Sequence, residues 1–291
     1  MQKAIGFVGL GIMGFPMAGH LVNAGYKVSV FNRTIKKSKD WQEKYNGTLC
    51  KSLSKLAKNS DVIILCVGND NDVKDIINGK DGLIDHLKPG TILIDHTTTS
   101  AELPKELNHL LELKKVKFLD APISGGQVGA ESGKLSVMIG GNKESFQEVQ
   151  EIINSYSKFT KYMGKSGSGQ LTKMVNQICI AGLIQALAEG MNFSEQVGLN
   201  TKDVIEVISK GAAQSWQMEN RWHTMLEDEF DHGFAVDLMR KDLDIVIKKA
   251  EHENISLEVT KIVNDYYKEI QKSGGGKWDT SSLYKRLKDN L

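Results

Sequence analysis

An open α/β domain over residues 1–164, followed through a long interdomain helix by an all-α domain over residues 165–291, is the fold class this sequence predicts. Three observations carry that expectation. A short apolar strand near the N-terminus runs into Gly9-Leu10-Gly11-Ile12-Met13-Gly14. As far as residue 164, short apolar runs alternate with helical stretches, the pattern of a parallel sheet covered on both faces. Beyond Gly164-Lys165-Ser166-Gly167-Ser168-Gly169 every periodic stretch is helical.

The predicted strands are Ile5 to Val8, Val28 to Phe31, Val62 to Val67, Ile92 to Ile94, Val116 to Leu119 and Leu135 to Ile139. Each is a short, mainly apolar run, and Val62 to Val67 and Ile92 to Ile94 are apolar throughout, as a strand buried on both faces requires. The first helix accepts Pro16 in its opening turn, keeps Met17, Leu21 and Val22 at helical spacing, and stops at Gly25. Val73 to Ile77 and Leu103 to Leu113 are amphipathic, and Lys88-Pro89-Gly90 is a turn before the fourth strand. From Gln170 to Gln196, Leu171, Val175, Ile178, Leu183, Leu187 and Met191 make a helix apolar on nearly every side, which predicts burial within the protein or its oligomer. Helices follow at Thr201 to Ser209, Trp216 to Met225, Val236 to Glu251 and Leu257 to Ile270. Trp216, Met218 and Trp222 fill either a pocket or a helical core, and Ser273-Gly274-Gly275-Gly276 is the one stretch expected to be flexible.

Lys and Arg total 37 against 36 Asp and Glu, a formal charge of +1, so nothing in the balance attracts nucleic acid or an anionic membrane. Cys50, Cys66 and Cys179 are too few and too scattered for a disulfide framework or a structural zinc site, which points to a reducing cytoplasm. The seven histidines show no ligand spacing, and no metal is expected. The N-terminal apolar run is too short for a secretory signal or a spanning helix.

A strand, a Gly-x-Gly-x-x-Gly turn and a helix together form the Rossmann dinucleotide site. Gly9 permits the tight turn, Gly11 lets backbone approach a pyrophosphate, Gly14 lets helix and strand pack, and the backbone at Ile12 and Met13 faces the phosphates. An enzyme that prefers NAD carries an acid at the end of the second strand, about 20 residues on. Asn32-Arg33-Thr34 stands there instead, with no carboxylate to repel a 2′-phosphate, an arginine to lie against it and Asn32 or Thr34 to donate hydrogen bonds, so NADP(H) is expected over NAD(H). The plainer reading leaves Arg33 as a solvated loop residue. Ligands of such sheets lie beyond the strand ends, so Val67-Gly68-Asn69, Asp95 to Thr99 and Asp120 to Gly126 should border one crevice.

Three groups suit chemistry. Ser124, Gly125 and Gly126 offer a hydroxyl and successive N–H groups to a carboxylate, although a plain turn would use the same glycines. Lys173, Asn176 and Gln177, at i, i+3 and i+4, share one face near the start of the apolar helix; the lysine suits proton transfer and the amides a substrate oxygen, unless the lysine simply reaches solvent. Asp242, beside the buried face set by Met239, Leu243 and Val246, with Lys241 pointing further out, serves either catalysis or a structural ion pair.

In this order, these elements resemble the β-hydroxyacid dehydrogenase family over the whole chain. Gly9 to Ala18 is similar to its cofactor signature, Asp120-Ala121-Pro122-Ile123-Ser124-Gly125-Gly126 to its substrate signature, and Gly167 to Gln177 to its catalytic segment, whose lysine corresponds to Lys173. Phe234 followed by Lys241-Asp242-Leu243 resembles the closing motif around nicotinamide and the catalytic lysine. The resemblance implies a reductase that delivers hydride from NADPH to a small semialdehyde or 2-oxo acid, with Ser124, Gly125, Gly126, Asn176 and Gln177 on the substrate and Lys173 as proton donor. It also implies that Val67, Thr98, Phe234, Lys241 and Asp242 adjoin the cofactor, and that two or four copies associate through the helical domain. Asp95-His96-Thr97-Thr98 departs from the usual Asp-Met-Ser-Thr, Val67-Gly68-Asn69 lacks a frequent proline, and Gln177 replaces a common Asn. The alternatives are an imine reductase on the same fold and a non-catalytic NADPH-binding sensor or scaffold.

Overall fold

The computed structural model describes residues 2–289, which form two compact units, the first ending at Lys173 and the second beginning at Met174. In the first, β1 (Ile5–Val8), β2 (Val28–Phe31), β3 (Thr48–Leu49), β4 (Val62–Leu65), β5 (Ile92–Asp95) and β6 (Lys117–Asp120) lie parallel in the order β3-β2-β1-β4-β5-β6. Their connections carry α1 (Gly14–Asn23), α2 (Ile35–Tyr45), α3 (Leu53–Lys58), α4 (Asp70–Asn78) and α5 (Leu103–Glu112). Alternation along the strands explains the two cores. Ile5, Phe7, Val62 and Ile64 pack with Met17 and Leu21 of α1 on one face, while Val8, Ile63 and Leu65 pack with Leu56, Val73 and Leu107 on the other.

The expectation of a wholly parallel sheet holds through β6 and fails beyond it. After β7 (Ile123–Ser124) and α6 (Gly126–Glu131), β8 (Leu135–Gly141) runs antiparallel to both β6 and β7. Two glycines explain how β8 comes so near. A Cβ at Gly140 would lie 2.5 Å from Asp120 Oδ1, and Gly141 adopts φ +131° where its Cβ would meet the Phe118 carbonyl at 2.8 Å. After α7 (Lys143–Asn154), β9 (Ser157–Gly164) adds a parallel edge that sequence patterning does not show, because its polar, half-exposed residues lack an apolar run.

Helix α8 (Ser168–Gln196) begins in the first unit and continues into the second, joined there by α9 (Thr201–Ile208), α10 (Trp216–Leu226), α11 (Val236–His252), α12 (Glu258–Lys272) and α13 (Leu283–Asp289). Ala181, Ile184, Leu187, Ala188 and Met191 of α8 enter the helical core with Met218, Met239 and Tyr267. Within a single copy α8 is buried on one side only: Val175 is 60% and Phe193 65% exposed, with Leu171 and Leu183 on the open side as well. Among the described residues α8 is also the one helix long and apolar enough to cross a membrane, and its core residues account for much of that apolarity. Trp216 is exposed, whereas Met218 and Trp222 pack with the core. The glycines after Ser273, expected to be flexible, lead into a regular turn. Gly275 to Lys277 form a 3-10 turn in which a Cβ on Gly275 would lie 2.2 Å from the Trp278 ring, so this packing holds the segment down.

Candidate active site

The three glycines behind β1 differ in what surrounds them. Gly9 sits at φ +98°, donates its N–H to the Phe31 carbonyl at 3.0 Å, and would bring a Cβ to 2.2 Å from the Cys66 carbonyl oxygen. Gly14 opens α1 with its missing Cβ 2.0 Å from the Gly9 carbonyl oxygen. A Cβ on Gly11, by contrast, would meet nothing within 4 Å. Two glycines shape the turn and the third faces open space, the cradle that a pyrophosphate backbone contact needs. Ile12 is exposed and Met13 half-buried beside it, and a cavity of about 520 Å³ lined in part by Gly11, Ile12, Phe15 and Lys37 adjoins the turn.

The triplet after β2 divides its labour. Asn32 Oδ1 accepts from the Leu10 N–H at 2.9 Å and its Nδ2 donates to the Thr34 carbonyl at 3.1 Å, so this amide braces the glycine turn rather than awaiting a ligand. Arg33 and Thr34 remain exposed, and Lys37 follows one turn into α2. Arg33 Nη1 lies 3.4 Å from Asp72 Oδ1, a pair between residues far apart in the chain.

At the ends of β4 and β5 the backbone is held by a polar lattice. The Val67 N–H donates to Thr97 Oγ1 at 3.1 Å, and the Thr97 N–H donates to Asp95 Oδ1 at 2.9 Å. Asp95 is buried, and its Oδ2 accepts no hydrogen bond among the described residues. Burial pushes its carboxyl up to about 7; bonds from Thr97 pull the other way, while Asp120 and Asp70 add to the rise. His96 points into the same interior. Its Nδ1 is 2.5 Å from the Ala121 carbonyl, which only accepts, so Nδ1 carries the proton and Nε2 accepts from the Tyr156 hydroxyl at 2.8 Å. Burial lowers the imidazole to about 4 and keeps it neutral.

Asp120 and Gln170 anchor the start of α8. The Gly167 and Gln170 N–H groups donate to Asp120 Oδ1 and Oδ2 at 2.8 and 3.0 Å, satisfying amide donors at the helix entrance. Gly169 permits this approach, since a Cβ there would lie 2.5 Å from the Met138 carbonyl oxygen. Burial raises the Asp120 carboxyl, and the donated N–H groups oppose that rise. Gln170 then reaches back: Nε2 donates to the Thr97 carbonyl at 2.7 Å and Oε1 accepts from the Thr99 N–H at 3.0 Å, clamping the chain on both sides of half-buried Thr98. Lys173 follows at i+3 and is only 7% exposed. Four residues beyond Asp120, half-buried Ser124 leads into Gly125 at φ +134° and Gly126 at φ +62°, and a Cβ on Gly126 would meet nothing within 4 Å.

In the helical unit a polar chain runs inward. Asn176 Nδ2 donates to Gln177 Oε1 at 2.7 Å, Gln177 Nε2 donates to Asp242 Oδ2 at 2.7 Å, and Lys241 Nζ pairs with Asp242 Oδ1 at 3.0 Å. Gln177 and Asp242 are buried, so the structural ion pair is what the geometry displays for Asp242, and Gln177 serves as its hydrogen-bond partner. Asn176 is the more accessible amide. The Phe234 N–H donates to Asp279 Oδ2 at 2.8 Å, and its ring packs against the helical core just before α11.

Sequence reasoning missed the roles of Gln170 and Asp72, and it read Asp120 as part of a substrate signature at the crevice rim rather than as the anchor of α8. A polar residue one turn ahead of Lys173 on an apolar helix was the available signal for Gln170. Asp72 gives none, because its relation to Arg33 exists only in the folded strand order.

Comparison with known proteins gives the same reading for the whole chain. Residues 4–164 match the family described as the NAD binding domain of 6-phosphogluconate dehydrogenase, and residues 167–287 match NAD-binding of NADP-dependent 3-hydroxyisobutyrate dehydrogenase. An uncharacterized oxidoreductase of Shewanella frigidimarina is 50% identical over 97% of each chain. A probable 3-hydroxyisobutyrate dehydrogenase-like protein of Arabidopsis thaliana is 35% identical over 96% of this chain and 83% of its own. The crystal structure of 3-hydroxyisobutyrate dehydrogenase from Salmonella typhimurium superposes with a TM-score of 0.87 at 26% identity, covering 98% of this chain and 99% of the other. A dinucleotide cradle, an anchored helix bearing a buried lysine and these likenesses lead to one conclusion: the chain belongs to the β-hydroxyacid dehydrogenase family of NAD(P)-dependent oxidoreductases.

Proposed function

We propose that this enzyme reduces a small carboxylate-bearing semialdehyde or 2-oxo acid, with NADPH preferred over NADH. The observation that carries the reading is the burial of Lys173 one turn past the clamp made by Asp120 and Gln170. A lysine held at that depth, on backbone tied to the β5 and β6 ends, is suited to proton transfer at one fixed atom. When bound, the nicotinamide would supply the hydride that the carbonyl carbon accepts. Lys173 Nζ gives its proton to the carbonyl oxygen as negative charge develops there, and takes it back in the oxidative direction. Ser124 and the N–H groups of Gly125 and Gly126 hold the substrate carboxylate. Asn176 rather than Gln177 orients the reacting oxygen, because Asn176 is only half-buried whereas Gln177 is buried.

Gly11 leaves backbone room for the pyrophosphate. Arg33 and Thr34 meet the 2′-phosphate, and Lys37 of the adjoining cavity adds charge. Two or four copies associate through the helical unit; the exposed apolar residues Val175, Leu183 and Phe193 of α8 support this, and light scattering after gel filtration checks it.

The test is oxidation of NADPH, with NADH beside it, against glyoxylate, succinic semialdehyde, methylmalonate semialdehyde and tartronate semialdehyde. Lys173→Ala is expected to lower kcat by about 100- to 10,000-fold with cofactor Kd nearly unchanged. Tight NADPH binding with no turnover on any of the four, or full activity in the lysine variant, would refute the reading.

A further inference from the structure

The end of β2 carries no carboxylate, yet the fold delivers one to the same place. In the order β2-β1-β4, Arg33 beyond β2 and Asp72 in the first turn of α4 stand on either side of the glycine turn that follows β1. Their side chains meet across it, with Arg33 Nη1 3.4 Å from Asp72 Oδ1. Asp72 is the better held of the two. Its N–H donates to Asn69 Oδ1 at 3.0 Å, its carboxylate lies over Gly68, where a Cβ would fall 2.5 Å from Oδ2, and its side chain is 27% exposed against 89% for Arg33.

We propose that Asp72 is a specificity-determining residue for the cofactor, supplying from α4 the acid that β2 lacks and so moderating the preference for NADPH. The proposal rests on the reading of Arg33 as the partner of the 2′-phosphate. The two cofactors differ only at the adenosine ribose 2′ position, and Asp72 acts on them in opposite senses. A 2′-hydroxyl donates a hydrogen bond to the carboxylate. A 2′-phosphate brings about two negative charges beside it and must share the Arg33 guanidinium with it. A purely structural aspartate in the first turn of α4 would alter both affinities alike.

The experiment measures Kd for NADPH and NADH by titration calorimetry on the full chain, at low and high salt, for wild type, Asp72→Asn, Asp72→Ser and Arg33→Met. Both Asp72 variants are expected to tighten NADPH by about 3- to 10-fold and weaken NADH by a similar factor, with the NADPH gain shrinking at high salt. If Arg33→Met weakens NADPH selectively while the Asp72 variants leave the NADPH to NADH ratio within about twofold of wild type, the role of Asp72 is overturned and the Arg33 reading stands. If Arg33→Met changes both cofactors equally or neither, the Arg33 reading fails and the proposal falls with it.

Discussion

Asp95→Asn should change the stability of the cofactor-free protein in a way that depends on pH, because the carboxyl of Asp95 is buried and burial is the main cause of its rise to about 7 from an ordinary 3.8. The folded state therefore favours the protonated acid. Its stabilising contribution is complete below about pH 4, where folded and unfolded chains both carry the proton, and is lost as pH climbs through 7. A difference of about three pKa units corresponds to roughly 4 kcal/mol over the whole range, of which about 2 to 3 kcal/mol falls between pH 5 and pH 8. Asparagine keeps an acceptor for the Thr97 N–H and cannot ionise. Any fixed cost of placing its amide where Oδ2 lacks a partner is the same at both pH values and cancels. At about 2–4 °C per kcal/mol, the variant's melting temperature relative to wild type should be some 5–10 °C more favourable at pH 8 than at pH 5. Thermal unfolding followed by circular dichroism at the two pH values measures this directly. An equal difference at both would mean that Asp95 is ionised in the folded chain at ordinary cost, and that the lattice around Thr97 stabilises the anion.

Glycine substitutions in the first turn should separate folding from binding. Gly11→Ala should melt within about 1 kcal/mol of wild type and lose cofactor affinity by tenfold or more, since its methyl would enter open space; Gly9→Ala, which would strike the Cys66 carbonyl from a left-handed backbone, should unfold the domain at a markedly lower temperature. Gln170→Ala removes both bonds that flank Thr98 and should cost about 2–4 kcal/mol in urea unfolding while lowering kcat, and an unchanged kcat would show that Lys173 needs no such clamp. Tyr156→Phe leaves His96 Nε2 without its donor and should cost about 1–3 kcal/mol, measured the same way.

Much of the first unit was legible because a strand buried on both faces tends to be an apolar run, and Val62 to Leu65 and Ile92 to Ile94 are short, β-branched-rich runs bounded by turn residues. Boundaries and edges were harder. Thr48–Leu49 is too short to leave a pattern, and Ser157–Gly164 is an edge whose two lysines are exposed. The antiparallel return of β8 depends on Gly140 and Gly141 meeting β6, a relation between positions some 20 residues apart that periodicity does not encode. At the site, the residues with distinctive chemistry were visible: the glycine turn, Ser124 to Gly126, and a lysine on an apolar helix. Their supports were not, since a carboxylate such as Asp120 looks the same in sequence whether it meets solvent or three backbone amides of another element. Asn32 shows the converse, a residue expected to meet ligand that the fold spends on Leu10 and Thr34.

The His96–Tyr156 pair constrains how this sequence can drift. Replacing His96 alone with the methionine usual in the family strands the buried tyrosine hydroxyl, and replacing Tyr156 alone with phenylalanine strands the imidazole. Each single change is expected to be less stable than the double change, which leaves no orphaned group. The two positions, 60 residues apart, are therefore coupled, and a chimera that takes the end of β5 with His96 from one relative and the turn before β9 from another is expected to orphan one of the two groups.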